Sequence, residues 1–440
     1  MSNIKKTIQT IQNNIDNINK ENGKIVSEYI DIRENIDDVS LSTIRTDIQG
    51  IYQLCILLEN KRLDEVKQDD LIEWIKWLKK KFKGGTIAIY KIKIKQFYKY
   101  LSDKEKYKKG YQKIIPYPDT VNWITTTNKD EDELPIDVML NQKQIKKILN
   151  SCRDAREQSI IITLLDGGLR SQELRNLKVR SVGFDDKLGA YFILPKNGKY
   201  KTKKSQRKVQ LFLIPSSTAY IRDYLNHHMY KNNPDAPLFY TMDTGVYTSI
   251  LKRINKKEDT PEDWERLKLT DIGLWNIINR IIKRSGINVK ISPHTLRHNS
   301  ATMCSRMGFN EFMLRERFGW KNNSVMPSRY SHLASRDTNS FIKKKLGIED
   351  EEEAEQNKEL QPILCWNCEF ENPCTNNFCG RCSANLNPSK DDLTPTVTET
   401  GIATQEMLKD PKFREFYNDM LAMTWEKYAK MKEKNMQKNQ

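Results

Sequence analysis

Groups that can bind and act on an anion occur in three short segments of the chain. The first surrounds Arg170, where Gly167 and Gly168 end one helix and a second helix begins at the arginine. Free backbone N–H groups at a helix start favour an anion, and a guanidinium can donate two parallel hydrogen bonds to phosphate oxygens. Glu173 follows three residues later on the same helical face and can orient Arg170. This segment is therefore predicted to bind an anionic group.

The other two segments supply imidazoles, a second guanidinium and a phenol. A Ser-Pro-His-Thr-Leu-Arg-His segment contains His294, Arg297 and His298 at a turn into a helix, and the first two share one helical face. Tyr330 ends a later Met-Pro-Ser-Arg-Tyr segment. These are the side-chain types that perform acid–base and nucleophilic chemistry at a charged centre.

In this order, the three segments resemble the Gly-Leu-Arg-x-x-Glu-Leu box, the His-x-Leu-Arg-His box and the terminal tyrosine of tyrosine recombinases. The Gly-Trp pair at Trp320, the Met-Pro-x-x-Tyr segment and a cysteine-rich tail are similar to archaeal integrase-like members. The resemblance covers the helical segment from about residue 42 and the stretch 141–346. It implies a site-specific recombinase, or integrase, that binds double-stranded DNA as a homo-tetramer on recombining sites.

The resemblance also implies the role of each site residue. Tyr330 would attack a DNA phosphate to form a 3′-phosphotyrosyl link, without a metal, while Arg170 and Arg297 hold the non-bridging oxygens. His294 would assist deprotonation of the tyrosine. Glu173 and His298 would support the other groups.

Two further assignments depend on the family pattern. A lysine of the β-hairpin is expected to protonate the leaving 5′ oxygen, and Lys201 fits best. The competing lysines are Lys196, Lys199, Lys203 and Lys204. Trp320 stands where many members have a second histidine, and its indole N–H retains a hydrogen-bond donor. Tyr240 and Tyr247 precede the His-x-Leu-Arg-His box, so only Tyr330 follows it at a suitable distance.

Two other functions are compatible with the same residues. A catalytically inactive, DNA-binding regulator would keep the scaffold, although the intact set of site residues counts against it. A topoisomerase-like enzyme would use the same chemistry to relax DNA, and it would not need one particular DNA sequence.

The cysteine-rich tail indicates a metal site. Cys365 and Cys368 form one Cys-x-x-Cys pair, and Cys379 and Cys382 form a second. Four thiolates at this spacing are the ligand set of one structural Zn²⁺, and a closed shell argues against catalysis by the metal. Cys374 is either a bystander or an alternative ligand. A redox role for the pairs is the weaker alternative.

The elements that position these residues are predicted to be mainly helical. Helical periodicity covers 43–58, 69–81 and 86–101, whereas 191–194 and 208–213 indicate a β-hairpin. The fold class is therefore mainly α: a helical core-binding (SAM-like) domain, an α+β catalytic domain with a small sheet, and a C-terminal zinc ribbon. The SAM-like assignment follows from the resemblance.

Pattern and composition divide the chain into seven parts. They are an N-terminal helix (1–38), the core-binding domain (39–105), a linker (106–138), the catalytic domain (139–348), an acidic spacer (349–362), the zinc ribbon (363–388), and a linker with a final helix (389–440). Isoleucines at heptad spacing between Ile4 and Ile25 fit either a coiled coil or an amphipathic helix packed on its own protein.

Charge and hydropathy constrain the partner and the compartment. The chain carries 74 Lys and Arg against 58 Asp and Glu, a net charge of +16, which favours a polyanionic partner such as nucleic acid. No signal core or long apolar run occurs. We therefore expect a cytoplasmic, nucleoid-associated protein without a membrane partner.

Overall fold

A computed structural model describes residues 3–126, 139–194, 207–242, 244–335, 359–387 and 410–437. The chain divides into two compact units, Met1–Leu134 and Pro135–Gln440, each with its own hydrophobic core. Helices dominate both units, so the predicted mainly helical fold with small sheets is confirmed. None of the helices in the described part of the chain has the length and apolar character needed to cross a membrane.

The described residues of the first unit form helices and turns, without a strand. Its helices are α1 (Asn3–Ile18), α2 (Lys20–Asn35), α3 (Leu41–Leu58), α4 (Gln68–Lys81), α5 (Gly84–Ser102), α6 (Lys104–Lys108) and α7 (Asp119–Asn122). Helices α3, α4 and α5 match the three segments whose periodicity predicted them, because each has a continuous apolar face buried in one core.

The N-terminal isoleucines lie in two helices rather than one. Asn19 is extended and caps α2 by accepting hydrogen bonds from two backbone N–H groups, so the chain turns there. The helices run antiparallel, because Gln12 Nε2 donates to Gly23 O at 2.7 Å and Lys5 pairs with Glu34 at 3.3 Å. Ile15 is fully buried in the core of this unit. Of the two interpretations, packing on its own protein is therefore the one observed.

Much of the predicted linker packs against this same unit. The apolar residues that it buries in the helical core are Tyr107, Ile115, Val121 and Ile124. Periodicity missed them because they are single anchors in short turns and one-turn helices, not members of a repeating face. Residues 127–138 of the predicted linker lie outside the described residues.

The second unit surrounds a three-stranded antiparallel sheet with helices. The helices are α8 (Gln142–Asn150), α9 (Ala155–Leu165), α10 (Ser171–Arg175), α11 (Ser217–His227), α12 (Thr244–Asn255), α13 (Pro261–Leu267), α14 (Asp271–Ser285), α15 (Pro293–Arg306), α16 (Glu311–Phe318) and α17 (Met326–Ser335). The strands are β1 (Val182–Asp185), β2 (Gly189–Leu194) and β3 (Arg207–Gln210), in that order. Strands β2 and β3 form the predicted hairpin, and β1 adds a strand that the pattern did not reveal.

The buried helix α9 carries the chain into the turn before Arg170. Asp166 ends it, is fully buried, and accepts hydrogen bonds from the backbone N–H groups of Phe212 and Ile214, each at 3.0 Å. Its backbone oxygen accepts from Arg317 Nη2 at 2.7 Å. Contacts from the segment after β3 and from α16 therefore hold this turn in place. They fix the point where α10 begins.

The C-terminal part begins as an extension of the same core. Leu360 is buried in the core of the second unit, and its oxygen accepts from Ser216 N at 3.2 Å. The predicted spacer therefore ends before this residue. Strands β4 (Ile363–Leu364) and β5 (Glu371–Asn372) form a small hairpin, and helix α18 (Pro411–Gln437) follows.

Candidate active site and metal centre

Arg170 caps α10 together with Glu173. The Arg170 backbone N–H donates to Glu173 Oε2 and its Nη1 donates to Glu173 Oε1, both at 2.8 Å. Its Nη2 donates to Gly319 O at 3.2 Å. The side chain is still 43% exposed, so this guanidinium is oriented by protein groups while one face remains accessible to a ligand.

Gly168 makes the close approach of these elements possible. Its φ is +59°, and an added Cβ would lie 2.4 Å from the Phe318 ring and 2.7 Å from Ser300 Oγ. Its carbonyl oxygen accepts from Arg297 Nη1 at 2.5 Å. A side chain here would therefore displace the contact that anchors Arg297.

Arg297 is held inside the unit rather than at its surface. Its Nη2 donates to Phe318 O at 2.6 Å, its Nη1 lies 3.7 Å from Glu173 Oε2, and its side chain is 5% exposed. Burial, with the nearby charge of Arg170, lowers the pKa of Arg297. An anion bound beside these two guanidinium groups would offset their mutual repulsion.

Tyr330 is buried among aromatic groups. Its hydroxyl is hydrogen-bonded to His298 Nδ1, and its ring stacks on Trp320 with centroids 5.5 Å apart and planes at 9°. Its backbone oxygen accepts from Ser305 Oγ at 2.8 Å. Burial raises the pKa of Tyr330 to about 12, against the opposing positive charge of Arg297. The phenol is therefore neutral and enclosed in this conformation.

The two imidazoles are neighbours with different contacts. The rings of His294 and His298 lie 4.2 Å apart, but the contact with the Tyr330 hydroxyl is made by His298. Desolvation, with His294 and Arg297 nearby, lowers the pKa of His298 to about 4, and desolvation also lowers that of His294. His298 is therefore neutral at pH 7, and its Nδ1 can accept the hydrogen bond of the phenol.

His298 should make the second unit sensitive to acid. Because its folded-state pKa lies below the unfolded value near 6.5, it stabilises the fold fully above about pH 6.5, and this stabilisation is lost as the pH falls towards 4. Between pH 7 and pH 4.5 we expect the wild type to lose about 1 kcal/mol more unfolding free energy than His298→Asn, allowing for partial exposure. Urea unfolding at the two pH values measures this. Equal losses in both proteins would contradict the burial of a neutral His298.

Arg207 lies in the site, although the sequence analysis did not single it out. It is the first residue of β3, and its Nη2 pairs with Glu173 Oε1 at 2.8 Å. One signal was available: strand alternation places Arg207 on the same face as the apolar Val209, so an arginine there must turn inward and needs a partner.

The predicted active-site residues that lie within the described part of the chain form one cluster. The clustered residues are Arg170, Glu173, His294, Arg297, His298, Trp320 and Tyr330. Lys201 and the competing lysines of the hairpin tip lie outside the described residues. Arginines, imidazoles and a phenol in this arrangement can bind a phosphate and deliver an oxygen nucleophile to it.

The four predicted metal ligands converge beside β4 and β5. The thiols of Cys365, Cys368, Cys379 and Cys382 all lie within 4.8 Å of one another. Two sulfur pairs are 3.6 Å apart, close to the separation of about 3.8 Å that tetrahedral Zn–S bonds of about 2.3 Å require. Arg381 N donates to Cys379 Sγ at 3.4 Å, a backbone contact that would orient this sulfur towards a metal. The arrangement fits a closed structural metal site.

Cys374 is not part of that cluster. Its thiol lies 3.3 Å from the Tyr220 hydroxyl of α11, where it packs against the catalytic core. The neighbouring Thr375 accepts from Gln158 Nε2 at 2.9 Å and lies 3.0 Å from Tyr220. The ribbon is therefore docked on α9 and α11, and Cys374 is a contact residue of that docking.

Removal of the metal should loosen the ribbon and its docking surface. Chelation would leave the four cysteine side chains without the metal ion that they bind. Structural zinc supplies much of the folding free energy of such small modules. We expect faster hydrogen exchange across 363–387 and a smaller increase in α11, measured by mass spectrometry. Cys374→Ser serves as the control and should retain one zinc per chain by elemental analysis. Purified wild type without zinc, or unchanged exchange, would contradict the assignment.

Comparisons with known proteins relate this chain to the tyrosine recombinases. Residues 139–336 match the model of the phage integrase family. Tyrosine recombinase XerA of Saccharolobus solfataricus is 25% identical over 300 residues, which cover 64% of this chain and 80% of that protein. XerA of Pyrococcus horikoshii is 25% identical over 210 residues, or 48% and 62% of the two chains. The segment 139–336 therefore belongs to the phage integrase family, and the relatives of the chain are tyrosine recombinases.

A solved structure shares the fold. The XerH site-specific recombinase bound to its palindromic difH substrate, in a post-cleavage complex, aligns with a TM-score of 0.51 and 18% identity. The alignment covers 72% of this chain and 84% of that one. The similarity therefore extends beyond the catalytic segment that the family model matches.

Proposed function

We propose that this protein is a site-specific DNA recombinase of the integrase type, which cuts and rejoins double-stranded DNA through a covalent link at Tyr330. The observation that carries the proposal is the single cluster in which the tyrosine, the imidazoles and the guanidinium groups of Arg170 and Arg297 meet. The names of the XerA relatives and the DNA complex of XerH support this substrate and reaction.

The reaction is an exchange of phosphate esters. The Tyr330 oxygen attacks phosphorus, a bond from phosphorus to tyrosine forms, and the bond to the 5′ oxygen breaks, leaving a 3′-phosphotyrosyl link. Negative charge develops on the non-bridging oxygens, where Arg170 and Arg297 stabilise it. The new ester conserves the bond energy, so a 5′ hydroxyl can reverse the step without ATP. Lys201 is the proposed donor of the proton to the leaving 5′ oxygen.

We assign acceptance of the tyrosine proton to His298 rather than to His294. The hydrogen bond from the Tyr330 hydroxyl to His298 Nδ1 supports this assignment. With a pKa of about 12 for Tyr330 and about 4 for His298, full transfer in the resting site is strongly unfavourable. The proton therefore moves as the bond to phosphorus forms, when the bound phosphate adds negative charge beside both imidazoles. His294 is then a hydrogen-bond donor to that phosphate, and Trp320 is a second donor through its indole N–H.

The remaining assignments concern organisation. Residues 39–105 and 139–348 are the core-binding and catalytic domains that contact the duplex, and four protomers assemble on two recombining sites. One structural Zn²⁺ is held by the four clustered cysteines, and it would supply folding free energy to the ribbon. Integration, excision, dimer resolution and inversion share this chemistry, and among them the cysteine-rich tail favours integration of a mobile element.

A nicked suicide substrate tests the proposed function. The purified protein is incubated with nicked duplexes made from the DNA that flanks its own gene, and covalent complexes are separated on a denaturing gel. Retention of labelled DNA on the protein is expected. Sequence-specific binding without an adduct would favour the inactive regulator. Adducts on any sequence, with relaxation of supercoiled plasmid, would favour the topoisomerase-like enzyme.

A further inference from the structure

Three consecutive carbonyl oxygens at the end of α16 each accept a hydrogen bond from a different arginine. Arg317 O accepts from Arg207 Nη1 at 2.6 Å, and Phe318 O accepts from Arg297 Nη2 at 2.6 Å. Gly319 O accepts from Arg170 Nη2 at 3.2 Å. Carbonyl groups at a helix C-terminus lack intrahelical donors and carry partial negative charge, so they suit guanidinium groups.

Glu173 holds the same three arginines from the other side. Its Oε1 accepts from Arg170 Nη1 at 2.8 Å and forms an ion pair with Arg207 Nη2, also at 2.8 Å, and its Oε2 lies 3.7 Å from Arg297 Nη1. The pKa of Glu173 is lowered despite its burial, mainly by Arg207. One carboxylate and one helix end therefore hold three guanidinium groups, which leaves a net charge of two positive units in this cluster.

Arg207 is more buried than Arg170. Its side chain is 17% exposed, against 43% for Arg170, so it is held within the cluster while Arg170 reaches solvent. Without Arg207, Glu173 Oε1 would pair with Arg170 alone and bind it more tightly. The end of α16 would also lose one of its three arginine contacts, which would let the other two shift.

We infer that Arg207 is a positioning residue for strand transfer: through Glu173 and the end of α16 it fixes Arg170 and Arg297 in the geometry that the phosphate requires. Arg207 is also the first residue after the hairpin tip, so the same contacts attach strand β3 to the phosphate-binding groups. This inference rests on the proposed function, because it assigns Arg207 a part in that reaction.

Gly319 allows the end of α16 to pack closely against Arg207. It ends α16 with a φ of +59°, and an added Cβ would lie 3.1 Å from Arg207 Nη1. A glycine here satisfies the left-handed backbone and leaves room for the guanidinium.

The test compares Arg207→Met with Lys208→Met in the full-length protein. Lys208 is the next residue of β3, it is exposed, and its Nζ lies 3.7 Å from the Tyr191 ring centroid, so the control removes the same charge from the same strand. DNA affinity is measured by fluorescence anisotropy, and the rate of adduct formation is measured at saturating nicked DNA. We expect Arg207→Met to lower the rate by about 100-fold and affinity by less than about threefold. Lys208→Met should keep the rate within about threefold of wild type.

Two more variants separate positioning from folding. Arg207→Lys should recover part of the rate, to within about tenfold of wild type, because an ammonium can pair with Glu173 but cannot also reach Arg317 O in the same fork geometry. In a Glu173→Gln background, Arg207→Met should lower the rate of adduct formation by less than about threefold, because the two residues act together. Circular dichroism and thermal unfolding confirm that each variant is folded.

The outcomes distinguish this inference from the proposed function. If the wild type forms an adduct and Arg207→Met forms it as fast as Lys208→Met, the positioning role is overturned and the recombinase assignment stands. The same conclusion follows if Arg207→Met lowers the rate by the same factor in the Glu173→Gln background as in the wild type. If wild type forms no adduct on any flanking sequence, the proposed function fails and this role fails with it.

Discussion

Tyr330→Phe is expected to abolish the covalent protein–DNA adduct while the fold and the DNA affinity persist. Only the hydroxyl is lost, so the ring keeps its stacking on Trp320, 5.5 Å between centroids. The one contact removed is the hydrogen bond to His298, worth about 1 kcal/mol. The rate of adduct formation should fall by at least about 10⁴-fold, because no other group supplies the attacking oxygen.

Tyr240→Phe is the matched control for this variant. Tyr240 is also a buried tyrosine of the second unit, and its ring packs against His228 rather than the arginine cluster. It should form the adduct at close to the wild-type rate on a denaturing gel. An adduct with Tyr330→Phe, at a rate near that of wild type, would mean that another residue is the nucleophile.

Arg297→Lys should have the second largest effect, on both activity and stability. Arg297 donates to two carbonyl oxygens, at 2.5 and 2.6 Å, inside the unit. A lysine cannot reproduce this planar fork, so Gly168 O or Phe318 O would lose its partner, at a cost of about 2 kcal/mol. We expect the rate of adduct formation to fall by about 10³-fold, because a phosphate-binding donor pair is also lost.

Arg170→Lys separates these two effects. Arg170 is 43% exposed, so its replacement should change the unfolding free energy by less than about 1 kcal/mol while it lowers the rate strongly. The measurements are urea unfolding and adduct formation at saturating DNA.

If Arg297→Lys were as stable and as active as wild type, the buried contacts would have no role in holding the site.

Local signals predicted the residues of the site but not the contacts between them. The boxes around Arg170 and Arg297 and the final Tyr330 identify the candidate side chains because each box has its own spacing. Which imidazole meets the tyrosine depends on how α17 packs against α15, which spacing along the chain does not encode. For that reason the sequence pointed to His294, whereas the hydroxyl contact belongs to His298.

Elements with a sustained period were predicted well, and elements held by long-range contacts were not. Helices α3, α4 and α5 follow continuous apolar faces. The turn at Asn19 was missed because the isoleucine spacing continues through it, although capping of α2 breaks the helix there. Arg207 was overlooked for a related reason: its partners, Glu173 and Arg317, are far away in the sequence.

The clustering of the four cysteines was predictable from the sequence, but the position of the ribbon on the second unit was not. Two Cys-x-x-Cys pairs specify a ligand set through spacing alone. The docking of Thr375 between Gln158 and Tyr220 depends on surfaces more than 150 residues apart in the chain. The position of Cys374 against α11, outside the four-cysteine cluster, follows from that docking.

Mass spectrometry of the trapped adduct tests the central claim most directly. The complex formed on a nicked suicide substrate is digested with nuclease and protease, and the modified peptide is sequenced. The account predicts a nucleotide attached through its 3′ phosphate to Tyr330, and to no other residue. A nucleotide on a different side chain, or a linkage through a 5′ phosphate, would contradict it.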